Sequence, residues 1–273
     1  MKDILVRVSD PSGWERGARG AARIAAALGG SLTGVYTTMP GIAPPAFYDP
    51  GVVATEWARH ARRDLAAAQA NAAAFVEWAD GLGVANAAWA GGAGHVPDLL
   101  AYASNWHDAL VLPLDAASED PWAAPGGVAR AMLAVECPCF VLPRAAPPVL
   151  PAETIAVAWN GSPEAIRALH ASAPLLASAR RVAMLMGRPK TGPDLRPVFP
   201  LEAWLGRLCA RVEYHTLDED AQDGAGILRA AAGCDAGLLV MGAYGRSRAA
   251  EWLLGGVTRH VLEHATLPLL MRH

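Results

Sequence analysis

Short apolar runs alternate along the chain with stretches in which apolar residues recur every three or four positions. That alternation of strand and helix patterns is the mark of βαβ units on a parallel sheet. In the second half the runs predict strands near 154–159, 181–186, 211–215, 236–241 and 268–272. Between them the helical pattern covers about 163–177, 200–209, 222–232 and 254–264. The first half has the same order, but its second helix, 52–81, is longer and follows the proline-rich stretch "MPGIAPPAFYDPG". Prolines stiffen a long connection without any ligand, so this stretch reads as a connection before it reads as a lid.

The halves are two copies of one unit. "DILVRVSDPSGWERGARGAARIAAALGGSLTGVY" and "TIAVAWNGSPEAIRALHASAPLLASARRVAMLM" each run strand, polar turn, helix, strand. "GGVARAML" from Gly126 and "GGVTRHVL" from Gly255 agree at both glycines, the valine, the arginine and the leucine. Each copy closes on a short apolar strand, "CPCFVLPR" or "LPLLMRH". Between the copies, "RAAPPVLPAE" has three prolines in ten residues, which deny helix and favour an extended linker. The expected fold is therefore α/β: two tandem Rossmann-like units, 1–147 and 148–273, each a five-stranded, mainly parallel sheet flanked by helices.

Composition narrows the function. The chain has 273 residues, 53% of them hydrophobic, enough for two cores, and a formal charge of −3 with no basic run to bind nucleic acid or anionic lipid. The amino-terminal apolar stretch is broken by Arg7 and closed by Asp10, too short for a signal peptide. No apolar run reaches the ~18 residues of a membrane span. A cytoplasmic protein is the simplest expectation. Cys137, Cys139, Cys209 and Cys234 fit neither a zinc nor a disulfide spacing and read as structural residues.

The candidate chemistry lies in "VMGAYGRSRAAEWLLGGVTRHVL", residues 240–262. An apolar strand ends there at Gly242, and the carboxyl edge of an open α/β sheet is where ligands bind. Gly242 and Gly245 can bring backbone close to a ligand, and Arg246 and Arg248 add positive charge. Gly255 and Gly256 open a helix whose first-turn N–H groups can seat an anion. With the strand end before it, Gly242-x2-Gly245-x9-Gly255 resembles the nucleotide-binding loop of the universal stress protein family. "VAWNGS" is similar to that family's first-strand turn and "GGVTRHVLEHATLPLLM" to its last helix and strand, so the resemblance spans the chain as a tandem pair of adenine nucleotide alpha hydrolase-like units.

That resemblance implies ATP or another adenine nucleotide, with Mg, in the second copy. Adenine would lie near Ala158 and Met186 and phosphates over Gly242, Gly245, Gly255 and Gly256, with Asn160, Met241, Arg246, Val257 and Thr258 completing the implied site. Two positions depart from the family. Asn160 stands where ATP-binding members have an acidic residue, and Gly256 stands where they have a hydroxyl residue. The first copy keeps Asp10 but has "LPLDAASEDPWAAPGG" in place of the glycine loop; Asp115, Glu119 and Asp120 would repel a polyphosphate there.

Three other motifs do not build a site. "HVLEH" formally matches a zinc-peptidase pattern, but no further carboxylate follows Glu263. "GRSRA" around Ser247 is followed only by Glu251 and Glu263 as acidic residues, in helix positions close to the serine, whereas a hydrolase builds its acid and then its His on a larger sheet. "GRPKTG" has Pro189 where a P-loop requires glycine.

No residue set pairs a base with a nucleophile, so catalysis would be limited to slow ATP hydrolysis. A regulatory or protective role follows by resemblance, with the two copies as an internal pseudo-dimer that either satisfies the family's dimer interface or leaves a surface for a homodimer. The alternatives are a nucleotide-free interaction module acting through protein partners, and an ATP-using enzyme of the related hydrolase group, for which "NGSPEA" is a weak match.

Overall fold

The structure is a computed structural model that describes residues 1–10, 13–14, 16–38, 50–144, 146, 152–187, 200–244 and 256–273. The stretch 39–49, most of the proline-rich connection, and the P-loop-like stretch from residue 188 lie outside the described residues. So does most of the linker.

The first repeat runs β1 (Asp3–Val8), α1 (Arg16–Leu28), β2 (Ser31–Thr38), α2 (Pro50–Ala70), α3 (Ala72–Asp80), β3 (Asn86–Ala93), α4 (Val96–Ser104), β4 (Ala109–Leu114), α5 (Pro125–Ala134) and β5 (Cys139–Pro143). The second runs β6 (Thr154–Trp159), α6 (Pro163–Ala171), α7 (Ala173–Ser178), β7 (Arg181–Met186), α8 (Leu201–Gly206) and β8 (Val212–Thr216). It ends with α9 (Gly224–Gly233), β9 (Leu238–Gly242), α10 (Gly256–His264) and β10 (Leu269–Arg272).

Two expected helices are each broken in two, for local reasons. The helix expected over 52–81 divides at Asn71, whose backbone leaves helical geometry at φ −90°, ψ 1° and whose Nδ2 donates to Ala67 O at 3.3 Å. The helix expected over 163–177 divides at Ser172, because Pro174 near the start of α7 has no N–H to continue the ladder.

By their contacts the residues form two compact units, Met1–Pro113 with Leu133–Cys137, and Leu114–Met132 with Pro138–His273. In the first, the strand order is β3-β2-β1-β4, all parallel. Ile4, Leu5 and Val6 are fully buried, and α1 presents Ala18, Ala21, Ala22, Ile24 and Ala25 to the core. Small side chains let this helix come close: a Cβ on Gly17 would lie 2.3 Å from Pro113 Cγ.

In the second unit the order is β5-β10-β9-β6-β7-β8, parallel except for β5 against β10. That one antiparallel pair joins the closing strands of the two repeats, with Leu269 opposite Val141, Leu270 opposite Phe140 and Met271 opposite Cys139. Phe140 and Leu270 hold the same place after their respective prolines, so the strand pair has a local two-fold axis at their level. Ile155, Ala156 and Val157 of β6 and Leu238, Leu239 and Val240 of β9 form the buried centre of this sheet. Cys139 and Cys209 are buried, and Cys137 and Cys234 are half-buried.

Candidate functional site

From β6 the chain of the second unit passes to β7 and β8 on one side, then returns to β9 on the other side of β6. The carboxyl ends of β6 and β9 therefore flank a topological switch point, where outgoing connections leave in opposite directions and open a crevice. Ala158 and Met241 are register partners across it, and Met186 is the register partner of Trp159 on the third strand. Asn160 follows β6 directly, and Gly242 is the last residue of β9. Gly256, Val257 and Thr258 are the first residues of α10. Gly256 is exposed and Thr258 is buried, at 5% exposure. Gly245, Arg246 and Gly255 lie outside the described residues, as do Ser247, Arg248 and Trp252.

The turn after β6 is held by short-range polar contacts. Asn160 Oδ1 accepts from the Ser162 N–H at 3.1 Å across Gly161, whose φ of +70° suits glycine. Ser162 then caps α6, its Oγ accepting from Ala165 N at 3.2 Å, and Pro163 fills the first helical turn where no N–H is needed. Because the carbonyl oxygen of Asn160 is committed to the turn, its carboxamide nitrogen is the group that can donate to a ligand. Nearby, Gly187 N donates to Trp159 O at 2.7 Å and ties the ends of β6 and β7 together.

Gly242 has a different job from the one its motif suggests. It is not at positive φ; it is a strand residue pressed against α6, and a Cβ there would lie 2.5 Å from Ala165 N and 2.6 Å from the Glu164 carbonyl carbon. The close approach of helix to strand, before any approach to phosphate, requires the glycine. Glu164 is itself buried, and Arg167 Nη2 pairs with its Oε1 at 3.2 Å while Arg167 Nε donates to His273 O at 2.9 Å.

Tyr244 was not legible in the motif. It stands just past β9 at φ 50°, unusual for a tyrosine; among the described residues its buried hydroxyl has no hydrogen-bond partner, and burial pushes its pKa far up.

In the first repeat the segment replacing the glycine loop is folded on itself. Asp115 Oδ1 accepts from Ala117 N at 3.0 Å and Asp120 Oδ1 from Trp122 N at 3.0 Å. Asp115 N donates to Ala123 O at 2.8 Å, and Arg144 Nη1 pairs with Asp115 Oδ2 at 3.1 Å. Trp122 is buried beneath the Arg130 guanidinium, 4.8 Å from its ring centroid. Two of the carboxylates expected to repel phosphate thus also serve as turn acceptors.

Elsewhere, "HVLEH" forms stacked imidazoles of His260 and His264 with centroids 4.1 Å apart, while Glu263 pairs with Arg259 at 2.8 Å. Cys234 Sγ lies 3.8 Å from His215 Nε2, and Glu213 Oε2 lies 3.7 Å from the same nitrogen. A relay would use both ring nitrogens, and burial pushes the Cys234 thiol up, so this cluster is not an activated nucleophile. Among the described residues no group of three or more His, Cys, Asp or Glu is arranged to hold a metal. Among them too, no helix is long and apolar enough to cross a membrane.

Fold and crevice together define an α/β protein of the doubly wound class with a carboxyl-edge cleft. Residues 210–273 match the model of the Universal stress protein family. A universal stress protein from Archaeoglobus fulgidus DSM 4304 superposes with a TM-score of 0.64 at 13% identity, covering 99% of this chain and 96% of its own. A functionally unknown protein from Pseudomonas aeruginosa PAO1 gives a TM-score of 0.53 at 14% identity, covering 99% and 92%. No curated protein sequence matches the chain significantly. Residues 210–273 thus resemble that family, and over its whole length the chain has the fold of a solved universal stress protein.

Proposed function

We propose that this is a regulatory universal stress protein whose second repeat binds ATP or another adenine nucleotide in the crevice between β6 and β9. The register pairing of Ala158 with Met241 at the switch point carries the reading. Two small or flexible apolar residues there offer a surface for a nucleobase, and the Asn160 carboxamide nitrogen stands beside it as a donor. The first turn of α10 would supply backbone N–H groups to phosphate, and a Cβ at Gly256 meets nothing within 4 Å, which leaves room above that turn. Mg would arrive with the nucleotide, since the described residues build no metal site of their own. No described pair of base and nucleophile points into the crevice, so the nucleotide acts as a signal and turnover is at most slow. The pairing of β5 with β10 supports reading the repeats as an internal pseudo-dimer. A cytoplasmic setting goes with this role.

Titration calorimetry of the nucleotide-stripped protein with magnesium-ATP tests the reading. Saturable binding at one site is expected. Absence of heat at millimolar ATP, a limit of about −4 kcal/mol in binding free energy, would overturn it in favour of an interaction module that works through protein partners.

A further inference from the structure

The first repeat has the same switch point, between β1 and β4. Arg7 and Ala158 are the fifth residues of β1 and β6, and each is register partner to the fifth residue of the next strand, Val35 or Leu185. Where the second repeat has a methyl group, the first therefore has a guanidinium on a long stem. Arg7 is only 5% exposed, and its Nε donates to Thr37 Oγ1 at 3.0 Å. Thr37 lies two residues beyond Val35 on the same face of the sheet, so the Arg7 side chain runs toward the edge where a ligand would enter.

On the other face of β2, where Tyr36 and Thr38 alternate with Val35 and Thr37, lies a second polar group. Thr37 and Thr38 are 5% and 6% exposed, and Thr38 Oγ1 donates to Asp64 Oδ2 at 3.3 Å. The Tyr36 phenol is raised chiefly by burial, which outweighs its hydrogen bond with Thr38, and further by the carboxylates of Asp64 and Asp10, with Arg7 opposing them. A guanidinium is stable at such depth only with partners, and here the protein supplies them.

We infer that Arg7 occupies the nucleobase position of the first repeat as a built-in occupant, and that this one strand position, Arg7 in one repeat and Ala158 in the other, decides which repeat takes a ligand. The inference rests on the reading of the second crevice as a nucleotide site.

Calorimetric stoichiometry with adenosine tests it, because an uncharged probe removes any effect of Asp115, Glu119 and Asp120 on phosphate. The wild type is expected to bind one equivalent and Arg7→Ala two. Arg7→Met, which refills the space with an apolar stem, is expected to stay at one. A folded Arg7→Ala protein, as judged by its thermal transition, that gains no equivalent overturns the inference. Should Arg7→Ala fail to fold, Ala158→Arg is read in its place: loss of adenosine binding with an intact thermal transition supports the inference, and retention overturns it. A wild type that binds none, with Arg7→Ala binding one, would sink the nucleotide reading of the second repeat while keeping the role of Arg7.

Discussion

Gly242 at the end of β9 lies directly against Ala165 at the start of α6, so close that a Cβ on the glycine would stand 2.5 Å from the Ala165 nitrogen. Gly242→Ala must move the helix or the strand. Overpacking of this kind costs about 1–3 kcal/mol, and the urea midpoint should fall accordingly. An unchanged midpoint would show that the contact relaxes freely. For the same reason Gly242→Val is a poor way to delete the nucleotide site, since it would disturb folding and binding together.

Gly256→Ser separates the two effects. The position is open, with nothing within 4 Å of an added Cβ, and the residue is not at positive φ. Stability should be nearly unchanged. A hydroxyl restored to the first turn of α10 should tighten magnesium-ATP binding by roughly tenfold, the worth of one hydrogen bond to a charged acceptor. Equal affinity in calorimetry would mean that phosphate does not sit over this turn.

Asn160 has two separable duties. Asn160→Ala removes the acceptor for the Ser162 N–H, held at 3.1 Å, and should cost about 0.5–1.5 kcal/mol of stability while weakening nucleotide binding. Asn160→Asp keeps an acceptor for that N–H but replaces the outward donor with an acceptor. It should leave the unfolding midpoint near that of the wild type and change only the affinity. If both variants bind as the wild type does, the carboxamide faces no ligand.

Asp108 gives a pH test of the fold away from the site. Its carboxyl is held below the usual range, chiefly by accepting the Lys2 backbone N–H and further by the Asp3 N–H at 3.2 Å. A depressed carboxylate contributes stability that is fully present above its unfolded pKa and is lost as the pH falls through the folded one. Asp108→Asn should therefore be less stable than the wild type at neutral pH, and the gap should narrow below roughly pH 4. Paired denaturation curves at several pH values check this; a gap that widens in acid would contradict the assignment.

Much of this molecule was legible in its residues. Periodicity located β6 and β7 at the residues observed and the other strands of the second repeat within two, because apolar runs bounded by glycine and polar turns have few ways to be buried. Repetition pointed to the tandem architecture, and family resemblance joined Ala158 and Asn160 to the strand end at Met241 and Gly242, with Ala158 and Met241 register partners at one sheet edge. Helix continuity was read less well. Asn71 and Pro174 each interrupt a pattern whose hydrophobic period runs on past them, and period alone does not register a lost hydrogen bond.

What the sequence by itself determined, then, is local pattern and kind: parallel βαβ units, their order, and a glycine-bearing strand end of the type that meets ligands. Tertiary structure alone decided the rest. It assigned the glycine at 242 to the packing of α6, paired β5 with β10 rather than closing each repeat on itself, and joined Arg7 to Thr37 across neighbouring strands. These are contacts between residues distant along the chain. Their partners are set by which faces meet when the sheet is assembled, and no local periodicity carries that information.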